Sequence, residues 1–429
     1  MKIYQYLAMV FAGVCLPVVA QVPPGGDGKV ISLPWALEQT LLKNTQLQSF
    51  SYDLKILDAN ALQAAIRPNP TLTASVQNVF GSGEVSGIRS AETSLVLSQL
   101  IELGGKRQRR IDLVSAAKKQ HVSDFELIRL DALSETTLRY YQLLRVQALH
   151  QWSKRRIMVE QRALNVIKTR AKAGAVIAAD VSKMALRLAR SKAVRQQLSH
   201  QLVVAKQRLA AMWASEVDFE LAGERLGILS GYPSLSEVLQ AIDQAPQFVK
   251  LLNLERLIEA QYRLEQSKNQ YDITFGLGVK RFEAFDDSAL MLTFSMPIPL
   301  TSPNRGKVLA TRAQAEKVLQ QQQLARQQIR LSLQEIHQAL TNNVAQLSML
   351  SQQVMPLAKQ LLVDTEAAYR IGQATVLQLG DAQAELFSVE REMIETNIAT
   401  YLQLIELERI TGQSMTNGSR KSVIAMENQ

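Results

Sequence analysis

Leu97-Ser98-Gln99-Leu100-Ile101-Glu102-Leu103-Gly104-Gly105-Lys106-Arg107 joins two unlike patterns. It takes over from an alternating segment, Ala91 to Leu100. Period-two alternation describes a strand whose two faces meet different media. After it comes a helical stretch, about 104–171. At 1.5 Å per residue, sixty-odd residues span roughly 100 Å, too long for a helix held alone in a globular domain of this size. A chain leaving a strand must bend before a helix starts. Gly104 and Gly105 allow that turn, because glycine adopts backbone angles other residues avoid.

The same junction recurs two hundred residues later as Met296-Pro297-Ile298-Pro299-Leu300, followed by Asn304-Arg305-Gly306. The chain is one unit written twice, at 33–213 and 234–413. Each copy opens with a short amphipathic helix, Leu33 to Leu37 and Ser234 to Val238; Ser234 and Glu237 stand at capping-box spacing. Each helix is interrupted early, at Asn44-Thr45 and at Ala245-Pro246. Arg67-Pro68-Asn69-Pro70 ends the first, since the residue before proline disfavours helix. Strand pairs follow, about 71–80 with 91–100 and 272–281 with 288–297. Leu72, Ala74 and Val76 alternate with polar residues, as do Ile273 to Val279 and Leu290 to Met296; the intervening loops read as polar and short.

Long helical stretches then run over about 104–171 and 304–370. Leu130, Leu133, Tyr140 and Leu144 mark one stripe; Phe125, Ile128, Leu143 and Val146 mark another. Two stripes suit a helix with a neighbour on each side, as in a closed ring, although an ordinary long bundle shares the periodicity. Both stretches end at a glycine after a basic turn, Arg170-Ala171-Lys172-Ala173-Gly174 and Tyr369-Arg370-Ile371-Gly372. Shorter helices return from them at 178–213 and 376–411. Residues 214–233, with Gly223, Gly227, Gly231 and Pro233, read as a linker or small waist element, and 414–429 as a loose tail.

Residues 1–20 read as a secretory signal: Lys2, an apolar run from Leu7 to Leu16, and a small-residue site ending at Ala20. The segment 21–32 then leads the mature chain. The competing readings of residues 1–20 are a buried first helix and lipid modification of Cys15, whose preceding Ala12-Gly13-Val14 departs from the lipoprotein pattern. Cys15 is the sole cysteine of 429 residues, which excludes an internal disulfide and a Cys-based zinc site. The 47% hydrophobic content excludes a disordered chain. The net charge of +9 is spread along the helices, and an exported chain rarely meets nucleic acid, so no nucleic-acid partner is expected. His121, His150, His200 and His337 show no metal-ligand spacing. With no phosphate loop or nucleophile motif either, neither an enzyme nor a cofactor is expected.

No apolar run long enough for a membrane helix follows the signal. Strands of about ten residues do match a tilted membrane strand. In lipid every backbone group must be paired, so strands there must close into a barrel. Four strands close only if several chains contribute. A soluble sheet on a coiled-coil stalk shows the same alternation.

The signal, the duplicated halves and the glycine-tipped hairpins resemble the outer-membrane efflux family typified by TolC. Its most specific pieces here are the two strand-to-helix junctions, and Glu102-Leu103-Gly104-Gly105-Lys106-Arg107 is similar to the branch serving cobalt–zinc–cadmium and copper pumps. The resemblance implies a mainly α fold with a small β part. Duplicated long helical hairpins form a trimeric α-barrel, and four strands per chain enter a shared twelve-stranded transmembrane β-barrel. It further implies a homotrimer in outer-membrane lipid of a Gram-negative bacterium, with a periplasmic tunnel. That tunnel is a passive conduit for heavy-metal cations, working with a periplasmic adaptor and a proton-driven inner-membrane pump of the RND type. Arg170, Lys172, Gly174, Arg370 and Gly372 would meet the adaptor. Gly104, Gly105, Pro297, Pro299, Asn304, Arg305 and Gly306 would shape the turns and do no chemistry. Leu379-Gly380-Asp381-Ala382-Gln383 matches the family's gate segment, where three copies of Asp381 would form a cation-attracting ring; Gln378 replaces a second acid of some relatives. Drug efflux and type I protein secretion are the alternatives within the class. A periplasmic coiled-coil adaptor is the alternative outside it, but an adaptor normally has one hairpin, not a duplicated one.

Overall fold

The computed structural model describes residues 30–223, 229, 231–298 and 304–414. The expected signal, Cys15, Pro299 and all of the expected tail but Ser414 lie outside them.

A short strand β1 (Val30–Ile31) leads into α1 (Leu33–Lys43) and α2 (Thr45–Ala65). Asn44 makes the break between them: it ends α1 in extended backbone, and its Oδ1 accepts from the N–H groups of Gln46 and Leu47 at 3.0 and 3.3 Å. Next come β2 (Thr71–Gln77), β3 (Glu92–Ile101), the 67-residue α3 (Lys106–Lys172) and α4 (Ala178–Ala210). At the waist, β4 (Leu221–Ala222) pairs in parallel with β1. This pairing adds a tertiary tie to a stretch that composition marks only as a connector.

The second copy repeats the order. It comprises α5 (Leu235–Gln240), α6 (Pro246–Ser267), β5 (Ile273–Phe282), β6 (Asp287–Ser295), α7 (Arg305–Met349), α8 (Met355–Arg370) and α9 (Val376–Thr411). Ser234 and Glu237 form the expected capping box. One departure breaks the symmetry. Between α7 and α8 the helix widens to a π turn, Leu350–Val354, where the Met355 N–H reaches back five residues to the Leu350 carbonyl. Pro356 follows at once. Proline has no N–H and crowds the carbonyl four residues back, and the wider turn accommodates it. In the first copy α3 runs unbroken.

The four long strands form one antiparallel sheet in the order β2-β3-β5-β6. The register sets Leu72, Leu97, Leu277 and Leu292 side by side, and Ala74, Leu95, Val279 and Leu290 in the adjacent row. Their large side chains are exposed. The opposite face is mostly polar: Ser75 and Ser94 share a hydrogen bond of 2.7 Å, and Lys280 pairs with Glu92. Among the described residues, β2 and β6 each have one edge without a strand partner. The first strand stops at Gln77 rather than near 80, because Asn78 and Phe80 turn to positive φ, 60° and 58°.

The core is divided along the rod. One cluster at the waist joins Tyr140, Leu143 and Leu144 to Leu209, Trp213 and Phe219. A second joins Val238 and Ile242 to Ile329, Leu333, Leu340 and Leu407. Both stripes of α3 are buried at the waist, since Tyr140 and Leu144 lie on one and Leu143 and Val146 on the other. The helix touches α4 along one side and α2, α6 and α9 elsewhere.

Candidate gate, hairpin tips and strand-to-helix joints

The joint after β3 shows what its glycines and charges do. Gly104 and Gly105 have φ of +73° and +65°. A Cβ on Gly104 would also stand 2.8 Å from Gln270 Oε1 and 3.0 Å from the Ser267 carbonyl. Asp272, from the second copy, accepts from Leu103 N–H at 2.9 Å and from Lys106 Nζ at 2.7 Å. Arg107 donates to the Ala65 carbonyl at 2.6 Å. Arg110 donates to the Ala64 and Ile66 carbonyls at 3.3 and 3.2 Å while paired with Glu102. Those carbonyls are the unpaired end of α2, where the helix dipole is negative. The motif is thus an electrostatic clamp holding α2, α3 and the sheet of both copies together.

The second joint is built differently. Asn304 precedes α7 and donates its amide to the Glu265 carbonyl; Lys268 pairs with the Glu265 carboxylate at 2.5 Å. Burial pushes Glu265 up, but hydrogen bonds from Lys268 and Asn304 and the charge of Lys307 outweigh it and hold the carboxyl below its ordinary range. Arg305 is the first helical residue, and Pro297 lies just past β6. Gly306 was expected to shape the turn. It lies instead within the first turn of α7, so the bend does not use its freedom.

Both tips close alike. The N–H after each glycine returns to a carbonyl five residues back, Ala175 to Arg170 and Gln373 to Ala368, each at 2.9 Å. This is the Schellman arrangement, and it needs the left-handed backbone that Gly174 (φ +71°) and Gly372 (φ +82°) supply. Lys172 ends α3 and Arg370 ends α8; Arg370, Lys172 and both glycines are exposed. The Arg170 guanidinium lies 4.4 Å from the centroid of the Tyr369 ring, so the two tips touch. Beneath them Leu164, Ile167, Met184 and Leu188 of the first hairpin pack with Val376 of the second.

Asp381 lies in the first turns of α9, and Arg187 of α4 pairs with it across the hairpins. Asp381 is 57% exposed and Arg187 23%. Gly380 permits the approach, since a Cβ there would meet Arg187 Nη1 at 3.1 Å and Met184 Sδ at 3.5 Å. Two further bridges cross in the same sense: Arg145 to Glu395 (2.8 Å) and Arg155 to Glu390 (2.7 Å). In these three the first hairpin supplies the cation and the second the anion, whereas Arg409 of α9 to Asp131 of α3, at 3.1 Å, runs the other way. An open groove of about 760 Å³ beside Asp381 brings in Asp364 and Glu385, which the sequence reading missed. Glu385 falls one helical turn after Asp381 on the same face, a spacing visible in the sequence. Gln378 does a structural job, its Oε1 accepting from Thr375 N–H at 2.7 Å in a capping box.

The histidines lie apart. His150 Nε2 stands 3.2 Å from Ser199 Oγ, His121 lies 3.6 Å from Asp53, and His337 contacts the Pro233 carbonyl. Among the described residues no group of three or more His, Cys, Asp or Glu could hold a metal ion, and no helix is long and apolar enough to cross a membrane.

The architecture is a sheet with one exposed apolar face, hung on paired helical hairpins. The family described as Outer membrane efflux protein matches residues 36–215. The chain is 23% identical over 385 residues to the cobalt-zinc-cadmium resistance protein CzcC of Cupriavidus metallidurans, covering 89% of this chain and 90% of that protein. The outer membrane protein VceC of Vibrio cholerae superposes with a TM-score of 0.70 at 17% identity, over 89% of this chain and 96% of that one. CusC superposes with 0.71 at 13% identity, over 91% and 95%. Over residues 36–215 the chain is thus similar to the outer membrane efflux proteins, and its fold is that of VceC and CusC. The family that this stretch matches is one of outer-membrane efflux channels, which work with adaptor and pump partners in tripartite systems.

Proposed function

We propose that three copies of this chain form a passive conduit that carries heavy-metal cations from the periplasm or the pump to the exterior. The observation that carries closure is the sheet: one face is apolar and exposed, and among the described residues both outer edges lack a strand partner. In lipid such edges must be paired, and three copies supply twelve strands. The likeness to CzcC along most of both chains supports metal cargo. The tips around Arg170, Lys172, Gly174, Arg370 and Gly372 dock the adaptor, and an RND-type pump supplies the energy.

In this reading Asp381 is the gate residue. Its carboxylate is tied to Arg187 at rest, and Asp364 and Glu385 line the same groove. Rings of acids around a narrow axis attract cations. Opening then shifts the second hairpin against the first, a packing change rather than a reaction.

A deletion strain grown on zinc, cadmium, cobalt, copper and silver salts beside dyes and detergents tests the cargo. Sensitivity to one or more metals, restored by the gene, is expected. Sensitivity confined to organic compounds sinks the metal assignment. Crosslinking in outer-membrane fractions tests the trimer, and a monomeric species there would sink closure.

A further inference from the structure

The exposed apolar face of the sheet is short for a membrane. Its rows run from Ile101 opposite Ile273, past Phe275 opposite Phe294, to Val279 opposite Leu290. Six residue steps measure about 20 Å along a strand, or about 15 Å of height at a tilt of about 40°, against an apolar band of about 25 Å in outer-membrane barrels. The next row outward is mostly polar, with Thr93, Arg281 and Ser288 beside a single apolar residue, Val76, on the edge strand. Arg281 is neutralised within its own hairpin by Glu283, at 3.2 Å, and Asp286.

Beyond that row the surface turns apolar again. Phe80, Ile88 and Phe285, in the two loops at the end remote from the helices, are 86%, 68% and 76% exposed. The sequence reads these loops as polar, yet they hold three large apolar side chains that bury little in the chain. Phe80 also keeps a φ of 58°, held by its N–H bonding to the Gly87 carbonyl at 3.0 Å. A bulky residue seldom adopts that backbone, and strain without internal packing points to a use outside the chain.

We propose that Phe80, Ile88 and Phe285 insert into the acyl region of the outer leaflet and extend the lipid-facing band of the sheet. The occupant is lipid hydrocarbon, because the loops continue the face that the barrel turns to the membrane and lie on the side where that face falls short. Aromatic residues at the rim of a barrel favour this boundary. The inference rests on the barrel reading.

The test uses the full chain in proteoliposomes, with an environment-sensitive fluorophore on a cysteine introduced singly as Phe80→Cys, Ile88→Cys or Phe285→Cys. Cys15, the chain's one native cysteine, falls in the expected signal, so unsubstituted protein gives the labelling background. Leu292→Cys on the apolar face serves as the lipid reference and Glu84→Cys as the water reference. Labels at 80, 88 and 285 should be quenched by acyl-chain nitroxides as at 292, and protected from iodide several-fold relative to 84. Iodide access at the loops equal to that at 84, with 292 in lipid, overturns the insertion and leaves the barrel standing. Protection from both quenchers means protein covers the loops and overturns it too. Water at 292 as well overturns the barrel reading together with the inference. The two loops are independent, so one misfolded variant leaves the other to decide.

Discussion

Arg187 of the first hairpin grips the carboxylate of Asp381 on the second, while one guanidinium nitrogen, Nη1, is buried without a hydrogen-bond partner. The pair therefore links the moving parts of the proposed gate and sets the charge of its ring. Asp381→Asn should weaken cation preference and loosen closure, whereas Arg187→Ala should leave Asp381 uncompensated and strengthen cation preference. Single-channel reversal potentials distinguish them, and identical selectivity in both variants rejects the role. Because Asp381 is largely exposed, the coupling in a double-mutant cycle should stay below about 1 kcal/mol.

The glycine tips should tolerate no side chain that resists positive φ. Gly372→Val and Gly174→Val meet open space, so only the backbone objects, at about 1–2 kcal/mol for a left-handed residue. The tip should refold locally while the rest of the protein assembles. Pull-down of the adaptor should fall sharply with the trimer retained. Undiminished adaptor binding by both variants would show that tip shape is not what the adaptor reads.

Asp272 holds the joint between the copies. Asp272→Ala removes the partner of Leu103 N–H and of Lys106, which is mostly buried. Leaving such groups unpaired costs about 1–3 kcal/mol. Asp272→Asn keeps an acceptor for the N–H and should cost less. Thermal melts of the detergent-purified protein rank them, and equal stability of all three forms would contradict the clamp.

His150 confers a pH dependence. Burial, then the charges of Lys154 and Arg195, lower its proton affinity below the ordinary value of 6.5. The unfolded chain then binds that proton more tightly than the folded one, so stability falls as pH drops below about 6.5. His150→Gln should flatten this part of the profile. A melting temperature that declines equally in both proteins between pH 7 and 5 assigns the effect elsewhere.

Much of the architecture was legible because it rests on local rules. Alternation at 71–77 and 273–279, proline stops and glycine tips each act within a few residues. Two local signals were overlooked: Pro356 inside a helical pattern, which brings the π turn, and Thr375 with Gln378 at capping-box spacing. Arg187 was not legible at all. It is one of many basic residues on a helix, and its partner lies 194 positions away.

By itself, then, the sequence determined the duplicated unit, the order of helix and strand, and the positions where the chain must turn. Backbone propensity and hydrophobic period act over one or two turns, and a repeat states them twice. Only the tertiary structure decided that Asp272 clamps the first copy's junction, that Asp381 is held by Arg187, and that the sheet leaves an apolar face short of a membrane's height. Those facts depend on which helix faces pack and in what register. That is settled by burial and charge pairing between segments far apart in the chain, where no local pattern reaches.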